Sequence, residues 1–371
     1  MLSPWDDFPI HQTSYPIAYP IGADAGRYDR HWLAMHDTDL TTQLGVGLCV
    51  YPNRGIIDGA LSVSRGGQQH SVYASAPMPR DRTTQVGPLR IEVIEPMRTL
   101  RVVLEEHDGV AADLTWHGVT QTIEDGRMER YSQGTLISER TRTVQFNDCE
   151  GQFTVNGETI DVTRDQWWGF RDRSWGSRTT GTKREHTMAA SKSNIYFAWT
   201  LLRFEDECLL VAVNEMPDGR SEARTVAVLP FIGPDDPAYG VEEAIARSDV
   251  FNFEIDYVAG TRRPHLVDLT VGPRGAVDRR IRIEPTLTFL MQGLGYSHPT
   301  WTHGADHGGP AVGSDHWNLA DLHPTARENV HVHQICRGVR SDGAVGLGLF
   351  EHIAIGPHLP SGLGEGLEPR G

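Results

Sequence analysis

The chain has 371 residues, of which 39% are hydrophobic and 22% charged, as is usual for a soluble globular protein. Its formal net charge of −15 opposes binding to nucleic acid or to an anionic membrane surface. No apolar run approaches the roughly 20 residues that a membrane span needs, and the first residues lack the basic and apolar regions of a secretory signal. We therefore expect a cytoplasmic protein without membrane insertion, long enough for two domains.

The recurring pattern along the chain is an alternation of apolar and polar residues, which is the period of a half-buried strand. It runs through residues 89–93, 110–116 and 251–257. Turn sequences separate such segments at short intervals, and Asn156 with Gly157 is the best type I′ hairpin candidate among them. The sequence therefore predicts an all-β protein made of antiparallel barrels or sandwiches.

The most unusual stretch is residues 167–178, WWGFRDRSWGSR, which contains three tryptophans and three arginines. Because side chains alternate along an extended segment, we expect Asp172 to share a face with Ser174 and to point away from Arg171 and Arg173. Asp172 is then either a general acid or base, with a pKa set by burial and nearby guanidinium groups, or part of an Asp–Arg lattice that joins two domains.

A polar stretch follows, since residues 177–193 contain few apolar side chains. Such a stretch is typical of a linker. We predict a domain boundary near residue 180, with an N-terminal domain at residues 1–180 and a C-terminal domain at residues 181–371. Ligand pockets are common at domain junctions, so we expect the tryptophan- and arginine-rich stretch to lie beside one.

Histidines are concentrated in the last third of the chain. Four of them fall in a glycine-rich segment, residues 296–317, which we expect to be a loop at a pocket mouth: His298, His303, His307 and His316. His331 and His333 place two imidazoles on one strand face, a spacing found in metal sites. No carboxylate follows at a recognisable spacing, so no metal is predicted, and a site at either histidine group remains an open alternative.

A second carboxylate of interest lies in residues 347–355, LGLFEHIAI. Strand alternation places Glu351 in an apolar row with Leu349 and Ile353. A buried charge needs a partner or a function, so Glu351 either pairs with an arginine of residues 167–178 or lines a pocket as an acid. The neighbouring His352 is expected to face the other way and to be solvated or lightly packed.

Three sequence motifs carry a resemblance to a known superfamily: ERYxQG at residues 129–134, the hairpin sequence at residues 155–158, and GFRDRSWGxR at residues 169–178. They resemble the AttH-like and carotenoid 1,2-hydratase-like superfamily, which has tandem lipocalin-like β-barrels. The resemblance covers most of the chain and is greatest to uncharacterised members. Further segments extend it: residues 51–59, 86–96 and 348–352.

The resemblance implies cofactor-free chemistry on a lipophilic small molecule, by hydration of an isoprenoid double bond or by cyclisation or isomerisation. Such chemistry needs a proton donor, an aromatic wall that tolerates positive charge, and a positioned water. The candidate catalytic residues are Asp172 and Glu351. The candidate substrate-binding residues are Tyr131, Gln133, Trp167, Trp168, Arg171, Arg173, Trp175 and Arg178, of which the arginines suit a carboxylate or phenolate.

The sequence contains no glycine-rich nucleotide motif and no serine-nucleophile elbow, and its four widely spaced cysteines form no metal or redox pair. We therefore predict a lyase or isomerase without an organic cofactor, acting on an isoprenoid, steroid or aromatic molecule. The alternative is a carrier that binds such a molecule and leaves it unchanged, as many lipocalin-like barrels do. Exposed strand edges are also compatible with a homodimer.

Overall fold

The computed structural model describes residues 2–132, 135–178, 194–240, 245–248, 250–272 and 279–365. Within these ranges the chain forms two large antiparallel sheets and no α-helix. No helical segment there is long and apolar enough to cross a membrane. The predicted all-β fold is confirmed.

The first sheet has fourteen strands in the order β21-β4-β3-β2-β1-β13-β11-β8-β7-β6-β5, with β9, β10 and β12 also paired to β11. Its strands are β1 (Arg27–Asp37), β2 (Thr42–Tyr51), β3 (Ile56–Arg65), β4 (Gln68–Pro77), β5 (Gln85–Val86), β6 (Leu89–Glu95), β7 (Thr99–His107), β8 (Val110–Gly118), β9 (Ile123–Glu124), β10 (Met128–Ser132), β11 (Thr135–Val155), β12 (Glu158–Val162), β13 (Trp167–Ser177) and β21 (Ala311–Asn318).

The second sheet has nine strands in the order β17-β16-β15-β14-β23-β22-β20-β19-β18. Its strands are β14 (Ile195–Arg203), β15 (Cys208–Glu215), β16 (Ser221–Leu229), β17 (Ala246–Ser248), β18 (Phe251–Tyr257), β19 (Pro264–Val271), β20 (Arg279–Leu290), β22 (Val332–Arg340) and β23 (Val345–Ile355). Short 3-10 turns occur at Pro4–Asp7, Met291–Leu294, Leu319–Asp321 and Arg327–Asn329.

The local sequence signals explain these elements. The predicted alternating segments are strands β6, β8 and β18, and along β8 buried and half-exposed residues alternate from Val110 to Trp116. The hairpin between β11 and β12 turns at Asn156 and Gly157, with φ of 53° and 75°. Both positive angles are those of a type I′ turn, so the predicted hairpin is confirmed.

Each sheet has a hydrophobic core of its own. The first sheet curls until β5 and β6 approach β3 and β4, and its interior is filled by apolar side chains from almost every strand. Leu33, Val46 and Leu114 in this core are fully buried. The second sheet buries a separate cluster that includes Val267 and Phe350.

A third apolar cluster joins the two sheets. Trp32 and Phe146 contribute to it from the first sheet, and Trp199 and Leu349 contribute from the second. Since burial of each such side chain contributes about 1.5–3 kcal/mol, this cluster fixes how the sheets face each other. The space left beside it is the site described below.

The glycine-rich segment at residues 296–317 differs in part from the prediction of a loop. Its second half forms β21, which pairs antiparallel with β4 and so completes the edge of the first sheet. Gly313 makes this possible, because a Cβ there would lie 2.4 Å from the ring of Trp301. The predicted domain boundary lies at residues outside the described ranges, and the division at residue 180 remains a prediction.

Candidate functional site

A cavity of about 720 Å³ lies between the two sheets. Strands β1, β11 and β13 supply one wall, strands β14, β22 and β23 supply the other, and residues of the segment 296–303 close a third side. A volume of this size is within the range of small-molecule sites.

The wall from the first sheet follows from strand alternation. Trp32 of β1 pairs in register with Asp172 of β13. Two residues further along the strands, Arg30 pairs with Ser174. All four residues line the cavity, so Asp172 and Ser174 share one face as predicted. An acid and an indole therefore lie side by side on this wall.

The wall from the second sheet has a matching row. Glu351 of β23 lies in register between Trp199 of β14 and His333 of β22. The ring of Trp32 packs edge-on against Trp199 at 5.6 Å and against His333 at 5.2 Å between centroids. Because these contacts bring the two rows together, the cavity receives one carboxylate from each sheet.

Asp172 is weakly paired for a buried carboxyl. Its Oδ2 lies 3.8 Å from Nε of Arg142, and its Oδ1 has no hydrogen-bond partner among the described residues. The main partner of Arg142 is Asp125, whose Oδ2 accepts from Arg142 Nε at 2.7 Å. Burial raises the pKa of Asp172, although Arg142 and Arg30 oppose the shift. The carboxyl of Asp172 is therefore harder to ionise than an exposed aspartate.

Glu351, unlike Asp172, is closely paired, and its pKa is shifted in the opposite direction. Its Oε1 lies 2.6 Å from Nε2 of His331 and 3.3 Å from Nε2 of His333. Burial acts to raise the pKa of Glu351, but the two imidazoles outweigh it and hold that pKa well below its usual range. The partners are therefore His333 of the adjacent strand β22 and His331 just before it, and no ion pair joins Glu351 to an arginine among the described residues. Its Oε2 accepts no hydrogen bond from those residues.

The prediction that His352 is solvated or lightly packed is wrong. The side chain is 1% exposed, and Nδ1 lies 2.9 Å from the carbonyl oxygen of Phe197. Burial lowers the pKa of His352 to about 3. The reason is that β23 is covered on both faces, by the intersheet cluster and by the core of the second sheet.

One group of side chains in the described residues converges closely enough to hold a metal ion: His331, His333 and Glu351, whose ligand atoms lie within 4.8 Å of one another. Two histidines and one carboxylate form a donor set that zinc and iron accept. The sequence spacing concealed it, because the carboxylate comes from the neighbouring strand in the register His333 to Glu351.

Of the arginines that line the cavity, we call three the arginine cluster: Arg30, Arg140 and Arg178. None of the three has a carboxylate within 4.0 Å in the described part of the chain, whereas Arg142 beside them is paired with Asp125. The guanidinium groups of Arg30 and Arg178 lie 4.8 and 5.9 Å from the ring centroid of Tyr296.

The structure separates the predicted site residues into two groups. Asp172, Glu351 and Arg178 line the cavity, together with His298, His303, His331 and His333. His307 and His316 lie elsewhere, stacked on Trp301 and near Asp108. Gln133 lies outside the described residues.

The remaining predicted residues lie away from this cavity. Trp167 packs in the core of the first sheet, and Trp168 lies under the guanidinium of Arg203. Arg171 points toward Thr122, and Arg173 pairs with Asp29. Trp175 and Tyr131 are 40% and 58% exposed. Alternation explains the positions of Trp167, Arg171, Arg173 and Trp175, since the odd-numbered residues of β13 face away from Asp172. Trp168 shares the face of Asp172 but lies four residues away along the strand.

Sequence reasoning missed the aromatic and basic residues that line the cavity walls. Tyr28, Arg30 and Trp32 alternate along β1, and Arg140 and Arg142 alternate along β11. A period of two in arginine and aromatic residues was the available signal. Without the strand register, nothing in the sequence placed these rows next to Asp172.

The two-sheet, all-β fold is shared with known structures. Two solved structures are similar over nearly their whole length. Kievitone hydratase from Nectria haematococca has a TM-score of 0.53 and 14% identity, with 92% of this chain and 93% of that chain covered. A putative AttH from Nitrosomonas europaea has a TM-score of 0.53 and 10% identity, with coverage of 93% and 98%.

The chain belongs to DUF8625, a family of unknown function that matches residues 2–364. No curated protein matches the sequence. The resemblance drawn from the sequence motifs is confirmed at the level of the fold.

Proposed function

We propose that the protein is a cofactor-independent hydro-lyase or isomerase that acts on a hydrophobic small molecule in the cavity between the two sheets. One observation carries the proposal: two carboxyl groups on opposite walls of this cavity have pKa values shifted in opposite directions. Groups shifted apart in this way are suited to act as acid and base in one reaction.

In the hydration direction, Asp172 donates its proton to one carbon of a C=C bond. Glu351, held ionised by His331 and His333, accepts a proton from the water whose oxygen bonds to the other carbon. The product carries one new C–H and one new C–O bond, and a proton returns from Glu351 to Asp172 through solvent. Dehydration is the reverse, and isomerisation uses the same two groups without water.

The aromatic side chains of the cavity hold the apolar body of the substrate. Trp32, Trp199 and Phe197 line it beside the two carboxyl groups. One indole face of Trp199 is already covered by Arg142, whose guanidinium carbon lies 4.7 Å from the ring centroid. The isoprenoid, steroid and aromatic classes all present the flat or apolar surface that such walls contact.

The direct test is a substrate screen that follows loss of the C=C absorbance or gain of one water by mass spectrometry. Wild-type protein is expected to convert a member of one of these classes, and the Asp172→Asn and Glu351→Gln variants are expected to bind it and to convert it far more slowly. Binding with no conversion by any of the three proteins would favour the carrier alternative.

We expect no metal requirement for this activity. Glu351 Oε1 is already hydrogen-bonded to Nε2 of His331, and the nearby arginine cluster repels a dication. Dialysis against a chelator should leave turnover unchanged. Added Zn²⁺ should change the melting temperature of wild type no more than it changes that of His331→Ala. A zinc-dependent rise in wild type alone would instead identify His331, His333 and Glu351 as metal ligands.

A further inference from the structure

The arginine cluster has no role in the acid–base steps proposed above. Arg30 is 3% exposed, and its Nε and Nη2 have no hydrogen-bond partner in the described residues. The Nε of Arg140 is also buried without a partner there. Asp58 and Asp172 act electrostatically on these arginines but form no ion pair with them within 4.0 Å. Because buried guanidinium N–H groups without a partner are costly, we expect their donors to bind the oxygen atoms of an anionic ligand.

Neighbouring side chains keep the cluster in place without neutralising it. Arg30 donates to the hydroxyl of Tyr296, and Arg178 donates to the hydroxyl of Tyr51 at 3.2 Å. The guanidinium of Arg178 also lies over the ring of Tyr28 at 4.4 Å. Stacking on aromatic rings and bonding to neutral hydroxyls fix the orientation of a guanidinium group while leaving its charge available.

The strand register places the cluster on one wall of the cavity. Tyr28 of β1 and Arg140 of β11 both pair in register with Gly176 of β13, and both side chains line the cavity together with Arg30 and Arg178. The row of Tyr28 and Gly176 lies four residues along the strands from the row of Trp32 and Asp172. An anionic group held here would place the rest of the molecule toward the carboxyl groups and the apolar wall.

We propose that the cavity takes an amphiphilic anion: a hydrophobic small molecule whose carboxylate, sulfonate or phenolate group is bound by Arg30, Arg140 and Arg178. The inference rests on the proposed function only in placing the reacting part of the substrate at Asp172 and Glu351. Guanidinium groups bind such oxygen anions through paired N–H donors, which gives orientation as well as affinity.

The test compares two fluorescent probes that share a phenyl-naphthylamine skeleton. Anilinonaphthalene sulfonate carries a negative charge, and phenylnaphthylamine is its neutral counterpart. Wild-type protein is expected to bind the sulfonate more tightly, and Arg140→Gln is expected to weaken sulfonate binding on the order of tenfold while leaving the neutral probe unaffected. Arg140 is suited to substitution because it is only half-buried.

The matched control is Arg220→Gln, which removes a guanidinium that is 77% exposed and paired with Asp218. It should change neither affinity. Equal binding of both probes to wild type, or an equal loss of both in Arg140→Gln with an unchanged melting temperature, would overturn the anion subsite and leave the acid–base proposal standing. Failure of both probes to bind would contradict the subsite and the proposed ligand cavity together.

Discussion

Asp172→Asn is expected to reduce turnover by about 10²–10⁴-fold without lowering the free energy of unfolding. The loss of rate is that of removing a general acid. Stability is retained because Asp172 is not tightly paired: one oxygen lies 3.8 Å from Arg142 and the other has no described partner. Activity assays and thermal melts on the same preparation measure both effects.

The sign of the pH dependence follows from the raised pKa of Asp172. Burial makes ionisation of this carboxyl less favourable in the folded chain than in the unfolded chain. Stability is therefore lost as pH rises above the ordinary value of 3.8 toward the folded pKa. Asparagine does not ionise, so the variant should equal or exceed wild type in stability at neutral pH.

Asp125→Asn provides the matched control. Asp125 is a buried carboxyl on the same arginine, and its Oδ2 accepts from Arg142 Nε at 2.7 Å. Breaking this buried ion pair should cost about 3–5 kcal/mol of stability. If Asp172→Asn destabilises the protein as much as Asp125→Asn does, Asp172 belongs to a structural Asp–Arg lattice and its role as the acid is contradicted.

Glu351→Gln is expected to reduce turnover by a factor of similar size, about 10²–10⁴, and also to lower stability at neutral pH. The rate falls because glutamine cannot accept the proton of water. Stability falls because the carboxylate that holds the imidazoles of His331 and His333 is replaced by a neutral amide. A melt and a turnover assay again measure both effects, and here they should change together.

The pH dependence of Glu351 has the opposite sign to that of Asp172. Its folded pKa lies below the ordinary value of 4.5, so the unfolded chain takes up a proton first as pH falls. The stabilisation is fully present above that value and is lost as pH falls toward the folded pKa. The stability difference between wild type and Glu351→Gln should therefore shrink in acid. A difference that is independent of pH would contradict the ionised state of Glu351.

Glu207→Gln serves as the control for Glu351. Glu207 is also largely buried, and it pairs with Arg279 at 2.9 Å and Arg340 at 3.0 Å. It does not line the cavity between the sheets. This variant should lose stability and keep its turnover, which separates a catalytic effect from the general cost of removing a buried carboxylate.

Strand periodicity was the part of the fold that the sequence made predictable. The alternation along β8 and the turn at Asn156 and Gly157 are local signals, and each required only a few neighbouring residues. Alternation also predicted the faces of Asp172 and Glu351 correctly, because the direction of a side chain along a strand depends on its position alone.

Contacts between distant strands could not be read in the same way. Trp32 and Asp172 are adjacent only through the pairing of β1 with β13, and His333 meets Glu351 only through that of β22 with β23. The tryptophans of residues 167–178 attracted attention by composition, yet none of them lines the cavity. A high local content of one residue type occurs in packed cores as well as in functional sites, whereas strand register determines which side chains contact each other.

We propose that the cavity binds a lipophilic molecule and that Asp172 and Glu351 transform it. The most direct measurement incubates wild type and Asp172→Asn with a small-molecule extract of the source cells and then identifies the bound compounds by native mass spectrometry and chromatography. We expect the compound bound to the variant to differ from the one bound to wild type by the mass of one water, or to have the same mass and a different chromatographic retention time. The same compound on both proteins, or none on either, would contradict it.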